Sequence, residues 1–437
     1  MSVTTAHPGR PDQGAPRQEA TAKRAALTAQ RLRTGASFGG LPVTNLVVLE
    51  VGLALGLLLL AVNTALLPLA GGIALLALVV ALLRWGGRWF TQWIGLTLRY
   101  AVRSHVRSVR PAAASGAVEG PADDAGTAVI GPEDPRVALL RLVIPDLVVA
   151  HAVDHERRPV GIAWHQGTWT AVLRVEPAPQ LVTPIGKAPN LPLGALAPCL
   201  SDRGVVLDSI GVLWHCYPGS PVLPSSSEAL AAYLEVLGPL PASARRTTLV
   251  TVRLDPRRCG EAVHERGGGV VGAHRALIGA LSRVRGALGA RGVQTSPLAP
   301  DELLRAGITA AELTASVGAT GAVGLREKWD GVTVSGVGHC SYAVTGWPSG
   351  GVHSSLNAFT SIRALSSTVT MTISPRGKDG QVGLRGLVRI SARTGRELDS
   401  AEGRLRKLGE RLGLSLLPLQ GMQAAGFAAT LPYGGTA

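Results

Sequence analysis

The longest hydrophobic stretch of the chain runs from Leu46 to Leu83, and its only charged residue is Glu50. A single helix over these 38 residues would extend about 57 Å, nearly twice the roughly 30 Å hydrocarbon core of a bilayer. We therefore predict a transmembrane helical hairpin with spans at about 42–62 and 65–85. Residues that favour a reversal lie near its middle: Asn63, Thr64, Pro68, Gly71 and Gly72.

Basic residues flank this stretch on both sides, whereas the predicted turn carries no charge. They are Lys23, Arg24, Arg31 and Arg33 before it and Arg84, Arg88, Arg99, Arg103, Arg107 and Arg110 after it. Segments rich in Arg and Lys stay on the cytoplasmic side of a membrane. The sequence thus predicts a multi-pass protein of the plasma membrane with both termini in the cytoplasm. A cleaved signal peptide fits poorly, because no small-residue cleavage site separates the two apolar blocks.

A juxtamembrane helix is predicted over 86–110, because aromatic and basic residues recur there at helical spacing. Aromatic side chains are typical of the headgroup level of a bilayer, and arginines bind lipid phosphates. The predicted membrane-interface residues are Trp85, Trp89, Trp93, Arg84, Arg88, Arg99 and Arg103. A simple interfacial anchor explains this pattern, and we favour it over a specific lipid site.

Two features of the first span suggest contacts inside the membrane. Small residues allow helices to approach closely, so Gly52, Ala54 and Gly56 are predicted to pack against spans of partner subunits, with plain lipid exposure as the alternative. An ionisable residue at this depth is costly, so Glu50 is expected to face a partner helix, water or an arginine near the cytoplasmic surface.

Composition divides the rest of the chain into a tail, a linker and a domain. Residues 1–40 form a basic, flexible tail, and residues 111–135 form a linker rich in Pro, Gly and Ala. Residues 136–437 are predicted to form a cytosolic α+β domain with a mixed or antiparallel sheet, either whole or in two halves divided near 299–321. Its first unit is a hairpin over 159–176 that turns at His165 to Gly167 and pairs Trp164 with Trp169.

Periodicity then predicts the order of elements in this domain. Strands are predicted over 159–176, 204–217, 247–254, 324–330, 332–335, 339–345, 367–374, 382–391 and 414–417. Helices are predicted over 226–236, 272–288, 301–304, 310–317, 356–365 and 396–412. Thr309, with Glu312 three residues later, has the spacing of a capping box for the helix at 310–317.

The net charge of +14 suggests nucleic acid at first, but much of the basic excess surrounds the membrane segment. Anionic lipid headgroups explain that placement better, and the chain has neither an RNP motif nor the spacing of a zinc finger. No nucleic-acid partner is therefore predicted. The four cysteines, Cys199, Cys216, Cys259 and Cys340, show no C-x-x-C spacing and are expected to be reduced and buried.

Motifs that carry chemistry are weak or missing. Gly267, Gly269 and Gly272 match GxGxxG, but no strand directly precedes them, so a flexible loop is the better interpretation. The chain has no P-loop, no GxSxG and no HExxH. His215-Cys216 and His339-Cys340 lie on predicted strands, where neighbours point to opposite faces, so core residues are favoured over zinc ligands. We predict no catalytic residues, no cofactor and no metal.

Several segments together resemble the EccE family, the membrane component of the actinobacterial type VII (ESX) secretion system. They are the basic tail, the hairpin, RRPVGIAWHQGTWTAVLRVEP, HCSYAVTGWP (His339 to Pro348), VGLRGLVRISA and GLSLLPLQGMQAAGFAATLP. The resemblance implies a subunit of a membrane complex that assembles with EccB, EccC and EccD, in which EccC hydrolyses ATP. It supplies no catalytic residues.

The function predicted from the sequence is therefore a non-catalytic structural subunit of this secretion complex, which braces its partner subunits. The alternative is a membrane-tethered cytosolic enzyme, glycosyltransferase-like or lipid-modifying, in which acidic groups such as Asp202, Asp208 and Asp255 would converge in a cleft. A membrane-bound protein that binds nucleic acid is a third possibility, for which steeply salt-dependent DNA binding would be diagnostic.

Overall fold

The computed structural model of the chain describes residues 37–38, 41–85, 88–111, 128–129, 134–176, 191–217, 245–348, 352–376 and 381–434. The chain divides into two compact units, residues 1–101 and residues 102–437. The first is called the hairpin unit and the second the sheet domain. Most of the predicted tail and linker, and the helix predicted at 226–236, lie outside the described residues.

The hairpin unit contains two apolar helices, α1 (Val43–Val62) and α2 (Leu67–Leu82), joined by a 3-10 turn at Thr64–Leu66. Asn63 ends α1, and its side chain accepts a hydrogen bond from the amide of Ala65 at 2.9 Å, which fixes the reversal. By length and composition, both arms of this hairpin could cross a membrane. A third helix, α3 (Phe90–Val102), follows.

The predicted juxtamembrane helix over 86–110 is shorter in the structure. Arg84–Trp85 and Arg88–Trp89 form a two-residue antiparallel ladder, and the helix begins only at Phe90. After α3 the chain becomes extended, and Val106–Val109 form an edge strand of the sheet domain. Arg107 therefore belongs to a strand, in which β-branched valines are favourable.

Within the described residues of the sheet domain, fourteen strands belong to one antiparallel sheet. They are β1 (Val106–Val109), β2 (Ala128–Val129), β3 (Val148–Val153), β4 (Pro159–His165), β5 (Thr168–Val175), β6 (Ser209–Tyr217), β7 (Arg245–Leu254), β8 (Thr295–Pro297), β9 (Val323–Glu327), β10 (Val332–Val334), β11 (Val337–Gly346), β12 (Ser366–Arg376), β13 (Gln381–Ala392) and β14 (Ser415–Pro418). Of the predicted alternatives, the antiparallel sheet is the one found.

The helices of the sheet domain are α4 (Pro135–Val143), α5 (Gly260–Glu265), α6 (Gly269–Gly289), α7 (Pro300–Ala310), α8 (Val352–Ala358), α9 (Gly395–Arg411) and α10 (Gln423–Ala429). Helix α9 begins at a capping box formed by Thr394 and Glu397, and Leu405 on its buried face joins the core. Most predicted strands and helices of this domain are present with shifts of a few residues at their ends.

Two predicted helices differ from the structure. The segment 310–317 forms only a 3-10 turn at Thr314–Ser316, because α7 continues to Ala310 and the chain reverses at Glu312, whose φ is 57°. Glu312 therefore does not cap a helix, and its side chain turns into the protein. The helix predicted over 356–365 ends earlier, since α8 and the 3-10 turn Phe359–Ser361 precede an extended Ile362.

The strand order shows that the sheet domain contains the same motif twice. The order is β1-β9-β10-β11-β13-β12-β6-β7-β5-β4-β3-β2, with β8 paired to β5 and β14 paired to β11. In chain order, the first copy is β3, β4, β5, β6, β7, α6, β8 and α7. The second copy is β9, β10, β11, β12, β13, α9, β14 and α10, with identical pairing partners. The chain passes from one copy to the other between Ala310 and Val323, close to the division predicted near 299–321.

Details of the two copies agree at the level of single residues. The turn between β4 and β5 has positive φ at Gln166 and Gly167, and the turn between β10 and β11 has it at Ser335 and Gly336. Five residues after each of these glycines, a strand carbonyl accepts a hydrogen bond from a leucine that follows β8 or β14. The pairs are Leu298 to Val172 at 2.9 Å and Leu419 to Ser341 at 3.0 Å.

The two copies join where β6 pairs antiparallel with β12, so a pseudo-two-fold axis passes through the sheet between these strands. Equivalent helices consequently share a face. Helices α6 and α9 cover one face, where Leu277 and Leu405 pack in the same core. Helices α7, α10 and α4 cover the other face, where Leu303 and Phe427 pack in a second core.

Two glycines of α6 provide a test of this packing. A Cβ on Gly272 would lie 2.2 Å from the carbonyl oxygen of Val263, whereas a Cβ on Gly279 would meet nothing within 4 Å. We expect Gly272→Ala to lower the free energy of unfolding by about 1–3 kcal/mol or more through overpacking. Gly279→Ala should raise it by up to about 1 kcal/mol through helix propensity. Urea unfolding of the detergent-solubilised chain, followed by tryptophan fluorescence, measures both, and equal effects would contradict the packing.

Candidate functional sites

The contact between α1 and α2 depends on small residues of α1. Gly52 and Gly56 are buried, and a Cβ on Gly52 would lie 2.1 Å from the Cβ of Ala77 in α2. A Cβ on Gly56 would lie 3.2 Å from the carbonyl oxygen of Ala70, which is tight but less severe. These two glycines, predicted to contact partner spans, thus pack inside this chain. Ala54 lies on the exposed face of α1, so a contact with a partner helix stays a prediction for that residue.

Asn45 connects all three helices of the hairpin unit. It is buried, and its Nδ2 donates a hydrogen bond to the carbonyl of Ala81 in α2 at 2.7 Å. The hydroxyl of Thr91 in α3 donates to its Oδ1. A polar side chain in an apolar environment must find such partners. The hydrogen bonds of Asn45 therefore fix the positions of the three helices relative to one another. Sequence reasoning missed Asn45, although it is a polar residue near the start of an apolar helix.

Glu50 lies on an exposed face of α1, together with Ala54. Its carboxylate makes no hydrogen bond or ion pair with other residues in the described part of the chain. The apolar side chains around it are exposed as well, among them Val47, Val51 and Leu53. The face that carries Glu50 is therefore unused by the hairpin itself.

Arginine and tryptophan side chains pair at the start of α3. The guanidinium carbon of Arg84 lies 5.7 Å from the ring centroid of Trp89, and that of Arg88 lies 5.7 Å from the ring of Trp93. These are cation–π contacts, which hold the aromatic and basic groups in one place. Of the other predicted interface residues, Arg99 is exposed on α3, and Trp85 belongs to the ladder before it.

Arg103 differs from the other predicted interface residues because it binds inside the sheet domain. Its Nη2 lies 2.5 Å from Oε1 of Glu327 and donates to the carbonyl of Gly421 at 2.8 Å. Glu327 is buried, and the same oxygen accepts a hydrogen bond from the amide of Ala424 at the start of α10. Arg103 therefore neutralises a buried carboxylate. Its guanidinium is engaged in this ion pair and is not available to bind lipid phosphates.

A buried polar network crosses the junction of the two copies. Arg389 on β13 is fully buried, and its Nη2 donates to the carbonyl of Ala310 and, at 2.9 Å, to the hydroxyl of Thr368 on β12. Nδ1 of His215 on β6 lies 2.9 Å from that hydroxyl, and Nε2 of His215 lies 3.7 Å from Oε1 of Glu312. Burial lowers the pKa of Arg389 to about 10, while the nearby Glu312 carboxylate opposes that shift.

Glu312, His215 and Thr368 stand in the order carboxylate, imidazole and hydroxyl that hydrolases use for nucleophilic catalysis. The arrangement is not an active site, because Thr368 is fully buried and Arg389 donates to its hydroxyl oxygen. Burial raises the pKa of Glu312. The network fastens the end of α7 in the first copy to strands of the second copy.

His339 extends the buried network towards α10. Its ring stacks on Phe427 with centroids 4.4 Å apart, and the guanidinium carbon of Arg389 lies 4.6 Å from the same ring. Nδ1 of His339 lies 2.9 Å from the hydroxyl of Ser391. Burial, together with the positive charge of Arg389, holds the pKa of His339 well below its usual value. His339 is therefore neutral in the folded protein at physiological pH.

In each His-Cys pair, the histidine and the cysteine point to opposite faces of the sheet. His215 faces the polar network, whereas Cys216 is buried on the opposite face of β6. Cys340 lies in the core covered by α6 and α9. Burial raises the pKa of both thiols, which keeps them unreactive. All four cysteines are free and buried. Among the described residues, no three His, Cys, Asp or Glu side chains cluster as metal ligands would.

The acidic residues considered for catalysis do not converge. Asp202 accepts a hydrogen bond from Arg283 at 2.7 Å, and Asp208 lies 3.2 Å from Arg258. Asp255 accepts hydrogen bonds from the amide and the guanidinium of Arg257. Asp255 thereby caps a 3-10 turn. The GxGxxG glycines also have a structural role, since Gly267 and Gly269 have positive φ in the turn that opens α6.

The Gly52 contact can be tested with a pair of variants of α1. We expect Gly52→Val to push α1 and α2 apart by a few ångströms, because the added side chain would overlap Ala77. Ala54→Val places the same side chain on the exposed face and should leave the hairpin unchanged. Spin labels at the exposed residues Leu46 and Leu82 report the distance between the helices in detergent. An unchanged distance in Gly52→Val would contradict the packing.

The His339 environment predicts a dependence of stability on pH. Because the folded-state pKa is depressed, the unfolded chain binds a proton below about pH 6.5 that the folded protein does not. Stability is therefore full above that pH and falls as the pH drops, by up to about 1.4 kcal/mol per pH unit from this group. His339→Asn, which can keep the bond to Ser391, should reduce this slope between pH 6.5 and 5, measured by urea unfolding. His155→Asn, at an exposed position, is the control, and an identical slope in all three proteins would disprove the assignment.

Comparison with known proteins gives two matches. Residues 242–344, which run from β7 into β11, match the family model described as "Putative type VII ESX secretion system translocon, EccE". A segment of 64 residues is 38% identical to the ESX-1 secretion system protein EccE1 of Mycolicibacterium smegmatis. That segment is 15% of this chain and 14% of the relative. These two matches show that part of this chain is similar to the EccE family of type VII secretion.

Proposed function

We propose that this protein is a non-catalytic structural subunit of the type VII (ESX) secretion membrane complex and assembles there with EccB, EccC and EccD. The observation that carries the proposal is that the hairpin unit leaves a large apolar surface exposed, whereas the polar groups of the sheet domain serve its own stability. The hairpin unit satisfies its own helix contact through Gly52 and Gly56 and still exposes apolar side chains all along both helices. In the sheet domain, the buried polar groups Arg389 and Glu327 bind other residues of the same domain.

The location follows from the same features. Both helices are long enough to cross a bilayer, and the charged residues lie beyond their ends, apart from Glu50. We propose a multi-pass protein of the plasma membrane with both termini in the cytoplasm, because the arginines after α2 favour that side. The Arg84–Trp89 and Arg88–Trp93 pairs would then lie at the headgroups as an interfacial anchor.

A structural role accounts for the sheet domain better than catalysis does. Asp202, Asp208 and Asp255 each bind an arginine, and Glu312 with His215 is closed off by burial. An active site requires titratable groups that converge on a space that substrate can enter. The proposed task of this domain is to brace neighbouring subunits through its surface.

Affinity purification of the full-length chain from its native membranes in mild detergent tests the proposal. We expect a megadalton-scale complex on a native gel that contains a P-loop ATPase and other membrane subunits. Asp208→Asn and Asp255→Asn should leave both secretion and the complex intact, since each carboxylate forms an ion pair with an arginine of the same domain. A lone monomer or dimer, or loss of secretion in these variants with an intact complex, would favour a membrane-tethered enzyme.

A further inference from the structure

Glu50 lies on the side of α1 opposite the hairpin contact. Successive residues of a helix are rotated by about 100°, so Glu50 is about 160° away from Gly52, which packs against α2. Ala54, one turn further on, lies on the same exposed face. Helix α2 therefore cannot supply a partner for the Glu50 carboxylate while the hairpin keeps this packing.

The position of Glu50 along α1 makes it difficult for its carboxylate to reach the membrane surface. It is seven residues after Val43, the first residue of α1, which corresponds to about 10 Å along the helix axis. The side chains that reach the interface from such depths are the long ones of Lys and Arg, and a glutamate is shorter. A charged side chain left in hydrocarbon costs several kcal/mol unless it is paired, hydrogen-bonded or protonated.

We propose that the Glu50–Ala54 face of α1 is a docking surface for a transmembrane helix of another subunit that carries a Lys or Arg at matching depth. The inference rests on the proposed membrane location and names the partner surface for it. Charge complementarity selects this occupant, because a second copy of α1 would bring a second carboxylate and lipid tails offer no hydrogen bond. The small side chain of Ala54 lets the partner helix approach closely beside the ion pair.

The first experiment compares variants of the full-length chain that are expressed in the native membranes. Glu50→Leu removes the charge and should leave the chain fully resistant to carbonate extraction, because the span becomes more apolar. The amount of co-purified membrane subunits should fall about three- to tenfold, the range expected when an interaction of 0.6–1.4 kcal/mol inside a membrane is lost. Leu53→Ala, also on the exposed surface of α1, is the matched control and should retain the complex.

The second experiment identifies the partner. Cysteine placed at Ala54 should give a disulfide with a cysteine scanned along a span of one co-purified subunit, one helical turn from a Lys or Arg of that span. Glu50→Lys should abolish assembly, and exchange of that basic residue for Glu should restore it. Restoration by the charge swap supports the proposal, whereas capture of a protein without such a residue does not.

Three outcomes would overturn the inference. They are a disulfide between two copies of this chain, normal assembly with Glu50→Leu, and loss of assembly in Leu53→Ala to the same degree. The proposed function fails separately, if the unaltered chain is extracted by carbonate or purifies without other membrane subunits.

Discussion

The antiparallel pairing of β6 with β12 is the contact on which the sheet domain depends. It runs from Ile210 opposite Ile373 to Cys216 opposite Ser367, and it makes one sheet of the two copies. Without it, each copy would present an unpaired strand at its edge and half of each hydrophobic core to solvent. The fully buried Trp214 lies on β6 at this junction. Neither copy therefore has a complete core of its own.

The two copies differ where the buried charges lie. The registers make Thr251 the counterpart of Arg389 and Gly211 the counterpart of Thr368. In the first copy, Thr251 fills the space over Gly211, whose Cβ would lie 2.5 Å from its hydroxyl. In the second copy the same place holds a guanidinium that reaches across the junction to Ala310. A buried charge whose removal leaves polar partners unsatisfied makes the junction specific as well as stable.

Much of the architecture could be predicted from local pattern. The apolar run, the alternation around His165 to Gly167, and the periodicity of α6 and α9 each determine an element by itself. The roles of single residues were less predictable, since they depend on contacts between distant parts of the chain. Glu312 has the spacing of a capping residue, yet its carboxylate serves a network that includes Arg389. Gly52 was predicted to pack against a partner span, whereas in the structure it contacts Ala77 of the same chain, and the choice between an internal and an external partner required the fold. The duplication left no repeat that is visible in the sequence, because strand pairing conserves geometry rather than residue identity.

The strand β1 has a consequence for the biosynthesis of the protein. It follows α3 in the chain, but its partner β9 begins only at Val323, and the partner of Arg103 is Glu327. A ribosome therefore releases the apolar helices, and the segment after them, long before the sheet can accept that segment. Until translation passes the start of the second copy, β1 is an unpaired strand beside a nascent hairpin. Folding of this chain thus requires that the apolar hairpin is synthesised first and that the edge of the sheet is completed last.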